Sequence, residues 1–221
     1  MLRRVEEIEV PFAGGALTAS SHGAGPTVVV LGHGAGSSRR TPFLVRIAER
    51  LAESGRRAVL YNFPYTDARR KVPDRPHVME AACAAAGDHA LRLPGAARVV
   101  HGGKSMGGRI ASQAVAKGAA AAGLVFLGYP LHAPGRTDVL RDRHLPDVAA
   151  PMLFLQGTRD SFARWDLIED LAGRLGPRAT LLRIEGGDHS FHVPRADGRS
   201  AADVEKELTA ATLAWLSQQG L

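Results

Sequence analysis

The chain has 221 residues, 45% of them hydrophobic, which suits one core and is too little for two, so residues 1–221 are read as a single domain. The formal charge of +6 comes mostly from arginines scattered among acidic residues, with aromatics at only 5%, so no nucleic-acid partner is expected. No run approaches ~20 apolar residues, which argues against a membrane span, and MLRRVEEIEV has glutamates where a signal peptide needs an apolar stretch, so the expected compartment is cytoplasmic.

In chain order, residues 5–10 and 16–20 alternate like an antiparallel hairpin turning through Gly14-Gly15, at the edge of a sheet. TVVVL (27–31) is an apolar run of central-strand length. Residues 41–54 carry Phe43, Leu44, Ile47 and Leu51 at helical spacing, with Gly55 as the C-cap. A strand at 58–61, an irregular stretch at 64–76 and an Ala-rich helix at 77–93 follow. That helix contains Cys83, the only cysteine, read as a buried structural thiol. Residues 97–101 form a strand that runs into a glycine-rich turn, and 105–117 a helix. Strands at 124–127 and 152–155 flank a second irregular stretch at 129–151. A helix at 163–175, a strand at 180–184 and a helix at 201–217 complete the chain. Alternation of this kind predicts an α/β fold, a mostly parallel sheet with helices on both faces.

The strongest chemical signal is Gly103-Lys104-Ser105-Met106-Gly107, a G-x-S-x-G pattern lying between a strand and a helix. A strand turning sharply into a helix strains the serine backbone, and glycines two positions either side remove the collisions that side chains would cause. Ser105 then stands at a helix N-terminus, where the dipole favours a developing anion. Gly103-Lys104-Ser105 also ends like a phosphate-binding loop, but that motif needs a glycine at position 98, which is Arg98.

A nucleophilic serine needs two backbone N–H groups for the oxyanion. The residue after it, Met106, supplies one, and the loop Gly32-His33-Gly34-Ala35-Gly36 after TVVVL the other, with Ala35 preferred and Gly34 next. His33, between two glycines, is read as a structural hydrogen-bonding residue. Asp160 follows MLFL and His189 follows LLRI, each on a loop after a late strand and in the order serine, acid, histidine. His192 competes as the base. Asp188, adjacent to His189, cannot easily fold back on its ring and is rejected as the acid. Two histidines three residues apart have no evident third ligand, so neither a metal nor an organic cofactor is expected.

Together GHGAGSS, GGKSMGGR, GYPLH, LQGTRD and GGDHSFHVP resemble the α/β-hydrolase superfamily, most closely its small, cap-less dienelactone-hydrolase-like branch, which includes the testis-expressed hydrolase-like proteins. The resemblance spans positions 32–194 and implies Ser105, Asp160 and His189 as a catalytic triad, supporting Met106 and Ala35 as oxyanion donors. Dienelactone hydrolases proper carry a cysteine nucleophile; here the position is Ser105, so lactone specificity does not transfer. The expectation is a serine hydrolase (carboxylesterase- or thioesterase-like) acting on a small-molecule acyl substrate. The alternative is a non-catalytic interaction protein that keeps the fold. Because 129–151 is too short for a lid domain, an open, shallow site is expected, walled by the loops containing Phe63, Tyr65, Tyr129, Leu131 and His132, with a plain strand-end turn as the alternative reading of Tyr129-Pro130.

Overall fold

The computed structural model describes residues 5–13 and 15–221; Gly14, half of the expected hairpin turn, lies outside them. The strands are β1 (Val5–Phe12), β2 (Gly15–His22), β3 (Thr27–Gly32), β4 (Arg57–Tyr61), β5 (Arg98–Lys104), β6 (Gly123–Leu127), β7 (Met152–Gly157) and β8 (Ala179–Ile184). They form one sheet in the order β1-β2-β4-β3-β5-β6-β7-β8. β1 and β2 form the antiparallel edge and β2 runs antiparallel to β4, whereas every neighbour pair from β4 to β8 is parallel.

The helices are α1 (Pro42–Glu53), α2 (Pro64–Asp67), α3 (Pro76–Leu91), α4 (Met106–Ala116), α5 (Trp165–Leu175) and α6 (Ala201–Gln218). The central strands β3, β6 and β7 are buried along their whole length and almost wholly apolar, because both faces are covered. Val28, Val30, Leu124, Phe126, Met152 and Phe154 point into a core completed by α3, α4 and α5. Val29, Leu31, Val125, Leu127, Leu153 and Leu155 point to the other side, where α1 and α6 close over them. A fully buried parallel sheet with this two-residue alternation is what continuous Val/Leu runs encode.

The element types match the expected order, and two places differ informatively. β5 continues through Gly102 and Gly103 to Lys104, because the glycines pair with β3 (Leu31 with Gly102, Gly32 with Gly103) rather than forming a loop. The stretch 64–76 is not wholly irregular: it contains the four-residue α2, and α3 opens on Pro76, where a missing N–H costs nothing. The stretch 129–151 has a single bridge between Ala133 and Arg136 and one 3-10 turn, Leu145–Asp147, so among the described residues no separate lid domain covers the sheet. Among them, too, no helix is long and apolar enough to cross a membrane.

The tightest packing is where α4 leaves β5. A Cβ at Gly103 or at Gly107 would overlap the carbonyl oxygen of Gly32, and one at Gly102 would overlap that of Val125. By contrast Gly173, in α5, has nothing within 4 Å of its missing Cβ. Gly107→Ala therefore lowers unfolding free energy by about 1–3 kcal/mol through overpacking against backbone, while Gly173→Ala raises it by about 0.5–1 kcal/mol through helix propensity. Urea midpoints of the two variants, moving in opposite directions, check this.

Candidate active site

The ends of β3, β5, β6, β7 and β8 lie side by side, and the loops leaving them meet at one edge of the sheet, the place where open parallel sheets gather ligands. Ser105 joins β5 to α4 with φ 52° and ψ −114°, a region that side chains with a Cβ seldom enter. Its N–H donates to Leu127 O on β6 (3.2 Å) and its carbonyl accepts from Arg109 N (3.1 Å), so both flanks of the strained residue are tied down.

His189 reaches Ser105 from the loop after β8. Its Nε2 accepts the serine hydroxyl at 2.8 Å, and its Nδ1–H donates to Asp160 Oδ2 at 2.7 Å. Asp160, in the turn after β7, has a fully buried side chain. A desolvated carboxylate needs hydrogen bonds, and it has three: from His189, from Gln156 Nε2 (2.6 Å) and, on Oδ1, from Phe162 N (2.7 Å). The other end of the Gln156 amide accepts from Tyr129 N at 2.8 Å, tying the acid to the loop after β6. The loops carrying Asp160 and His189 also touch: Arg159 N donates to Gly187 O (2.9 Å), and a Cβ at Gly157 would overlap that same oxygen. Phe162 packs on the His189 ring, centroids 4.2 Å apart.

The rejected and competing residues have other work. Asp188 Oδ1 accepts from Ser190 N (2.8 Å) and His192 N (2.9 Å), shaping the loop in which Phe191 takes φ 64°. His192 is exposed, 3.6 Å from Asp188, and lines the cleft, while the contact with the serine hydroxyl is made by His189. Among the described residues no three His, Cys, Asp or Glu side chains converge as a metal site.

Opposite the serine, the loop after β3 is braced by His33. Its Nδ1–H donates to Gly34 O (2.8 Å), and its Nε2 accepts from Phe63 N and Thr66 Oγ1 (3.2 Å each), a pattern that requires the neutral ring. Burial holds its pKa below the ordinary histidine value. Gly34 passes so near that a Cβ built on it would lie 3.8 Å from Ser105 Cβ. Ala35 is exposed and lines the cleft, and Met106 opens α4, where a main-chain N–H has no carbonyl partner within its own helix.

The cleft beside Ser105 measures about 380 Å³ and is lined by Ala35, Thr41, Phe43, Leu44, Lys104 and His192 among others. The expected walls are not there. Phe63, Tyr65, Tyr129, Leu131 and His132 are all buried in the interior, at 2% exposure or less. Phe126, Tyr129 and Phe154 meet edge-on or tilted within 5.7 Å of one another, and His132 is locked between Ala133 O and Arg164 N. These large rings follow strand ends but turn back into the core, where their apolar area is better removed from water. The wall comes instead from the start of α1.

Two polar residues of the site, Gln156 and Lys104, escaped the sequence reading of roles. The available signal was their setting: a polar residue inside an otherwise apolar strand is buried, and buried polar groups carry hydrogen bonds. Lys104 Nζ donates to His189 O at 2.6 Å. A second serine–histidine contact, Ser112 Oγ with His144 Nε2 at 2.7 Å, is of another kind. Ser112 lies fully buried inside α4 and donates its hydroxyl to Arg109 O (2.8 Å), so His144 donates to it and takes no proton from it. Cys83 is buried beneath the sheet, 3.5 Å from His101 Nδ1, with its thiol pushed up to about 12 by burial.

Solved structures share this arrangement of strands and helices. A dienelactone hydrolase from Anabaena variabilis is 20% identical over 99% of each chain, with a TM-score of 0.77. An α/β serine hydrolase without a lid from Xanthomonas campestris is 20% identical over 96% of this chain and 95% of that one, at 0.74. An esterase from Pyrococcus furiosus, Pf2001, is 14% identical over 100% and 92%, at 0.78. At such identities the likeness is one of fold. The sequence pattern of the family described as alpha/beta hydrolase domain, however, matches residues 25–217, nearly the whole chain, and the protein belongs to that family.

Proposed function

We propose that the protein is a serine hydrolase that cleaves an ester or related acyl bond of a small-molecule substrate through an acyl-enzyme. The observation that carries this reading is the unbroken hydrogen-bonded chain Ser105–His189–Asp160, at 2.8 and 2.7 Å. Family membership supports hydrolysis, and the dienelactone hydrolase and esterase among its structural neighbours support acyl chemistry.

In this mechanism His189 accepts the Ser105 proton as Oγ attacks the acyl carbon, and Asp160 keeps the ring in the Nδ1–H form and balances the imidazolium. Met106 N–H and Ala35 N–H receive the oxyanion, each such donor being worth about 3 kcal/mol in the transition state. His189 then protonates the leaving group, and water, activated by the same imidazole, releases the acid. No cofactor enters these steps. The partly apolar cleft, with Phe43 and Leu44 on one side, suits a compact acyl or alcohol group, and its volume of about 380 Å³ is at the low end for ligand pockets.

A fluorophosphonate probe should label the wild-type protein and not Ser105→Ala, and hydrolysis of p-nitrophenyl esters should fall by about 10⁴-fold or more in that variant. A folded wild-type protein with neither adduct nor turnover would favour the non-catalytic alternative. Asp160→Asn should label slowly and lose about 10⁴-fold in kcat, because the amide favours the wrong imidazole tautomer. Gln156→Leu strands the Tyr129 N–H and removes a donor from Asp160, so it should lower unfolding free energy by about 1–3 kcal/mol in a denaturant melt.

A further inference from the structure

Within the G-x-S-x-G pentapeptide one position is left without a role by the triad. Lys104, the last residue of β5, is half-buried overall, and its side chain turns inward beneath the histidine loop rather than out to water. Its ammonium donates to the main-chain oxygen of His189 at 2.6 Å and lies 5.4 Å over the Phe191 ring. Gly128, at φ 72°, makes room for it: a Cβ there would stand 3.1 Å from Lys104 Nζ, 3.4 Å from His189 O and 3.6 Å from Asp160 Oδ2. The cation, the histidine backbone and the acid therefore surround one point.

The charges explain why a cation belongs there. Asp160 is fully desolvated, and before the serine proton moves its histidine partner is a neutral dipole. Three hydrogen bonds satisfy its lone pairs but leave a buried negative charge uncompensated. The titratable groups facing Lys104 are Asp160 from the turn after β7, and Asp188 and His189 from the loop after β8, with His192 farther along the same cleft. Gly34 and Gly128, from the loops after β3 and β6, bring only backbone.

We propose that Lys104 is a positioning residue: its ammonium pins the His189 main chain and offsets the Asp160 carboxylate, so that the imidazole is aimed at Ser105 and kept from over-stabilising as the imidazolium. The proposal rests on the triad reading above. Burial pushes the ammonium down to about 8, with Asp160 and Asp188 partly opposing that fall. The sign follows: the cation is present below that pH and is lost as pH rises through it.

The test compares wild type with Lys104→Met, Lys104→Gln and Lys104→Arg by NMR titration of the His189 ring and by the pH profile of kcat/KM on a p-nitrophenyl ester. In the Met and Gln variants the His189 imidazolium should persist to higher pH by about one unit, because a neighbouring cation no longer opposes it. Their kcat/KM should fall by about tenfold or more, as expected for a misaligned histidine. Wild-type activity should decline above pH about 8, and the Arg variant, whose guanidinium does not titrate there, should lose that decline. An unmoved His189 titration, or restoration of both readouts by the uncharged Gln donor, would show a mere tether and overturn the proposal. Should the Met and Gln variants not fold, an alkaline limb that is the same in wild type and Lys104→Arg overturns it equally. The ring titration needs no turnover, so failure here is distinct from failure of the hydrolase reading, which shows as no Ser105 adduct in wild type.

Discussion

The carbonyl oxygen of Gly32, at the end of β3, occupies the space that side chains of residues 103 and 107 would fill. Because both positions are glycine, α4 starts directly against β3, and Ser105, midway between them, takes a positive φ. That one steric arrangement lifts Ser105 above the strand ends, opens the first turn of α4 toward it and sets the loop after β3 across from it. Each consequence is a backbone matter, and each depends on a contact between strand residues 71 positions apart in the chain, Gly32 and Gly103, that pair in register.

Around this turn the polar groups form one connected network. Asp160 would be costly to bury alone, and the structure surrounds it with three donors: His189 from the loop after β8, Gln156 from β7 and the Phe162 main chain from its own turn. Gln156 couples the acid to the loop after β6, and Lys104 couples the serine turn to the loop after β8. The serine, acid and histidine loops are thus held by one another as well as by the sheet, which is the kind of support that fixes side chains within tenths of an ångström.

The large aromatic residues near the strand ends were expected to wall the site and instead build the core. Tyr129 shows why. Its ring packs with Phe126 and Phe154, its hydroxyl donates to Arg141 O at 2.7 Å, and its N–H goes to Gln156, so every polar atom is used without reaching the cleft. The 129–151 connection is in this way folded down onto the sheet as packing material rather than raised as a lid. The apolar lining of the cleft falls instead to the start of α1, where Phe43 stacks on Phe191 with centroids 5.9 Å apart.

Much of this was legible in local pattern. Apolar runs of strand length, helical spacing and glycine placement specify element types and the serine turn, since they act through neighbours within a few residues; the placement of Ser105, Asp160 and His189 after β5, β7 and β8 followed from them. The rejection of Asp188 was also local, because a residue cannot readily fold back on its neighbour's ring. What tertiary structure alone decided is which atoms meet. That Gln156 bridges Asp160 to Tyr129, that the Lys104 ammonium lies under His189, and that Phe43 rather than Tyr129 faces the cleft all depend on sheet order and strand register. Those are long-range pairings, fixed by the burial of two faces at once, and no window of neighbouring residues carries them.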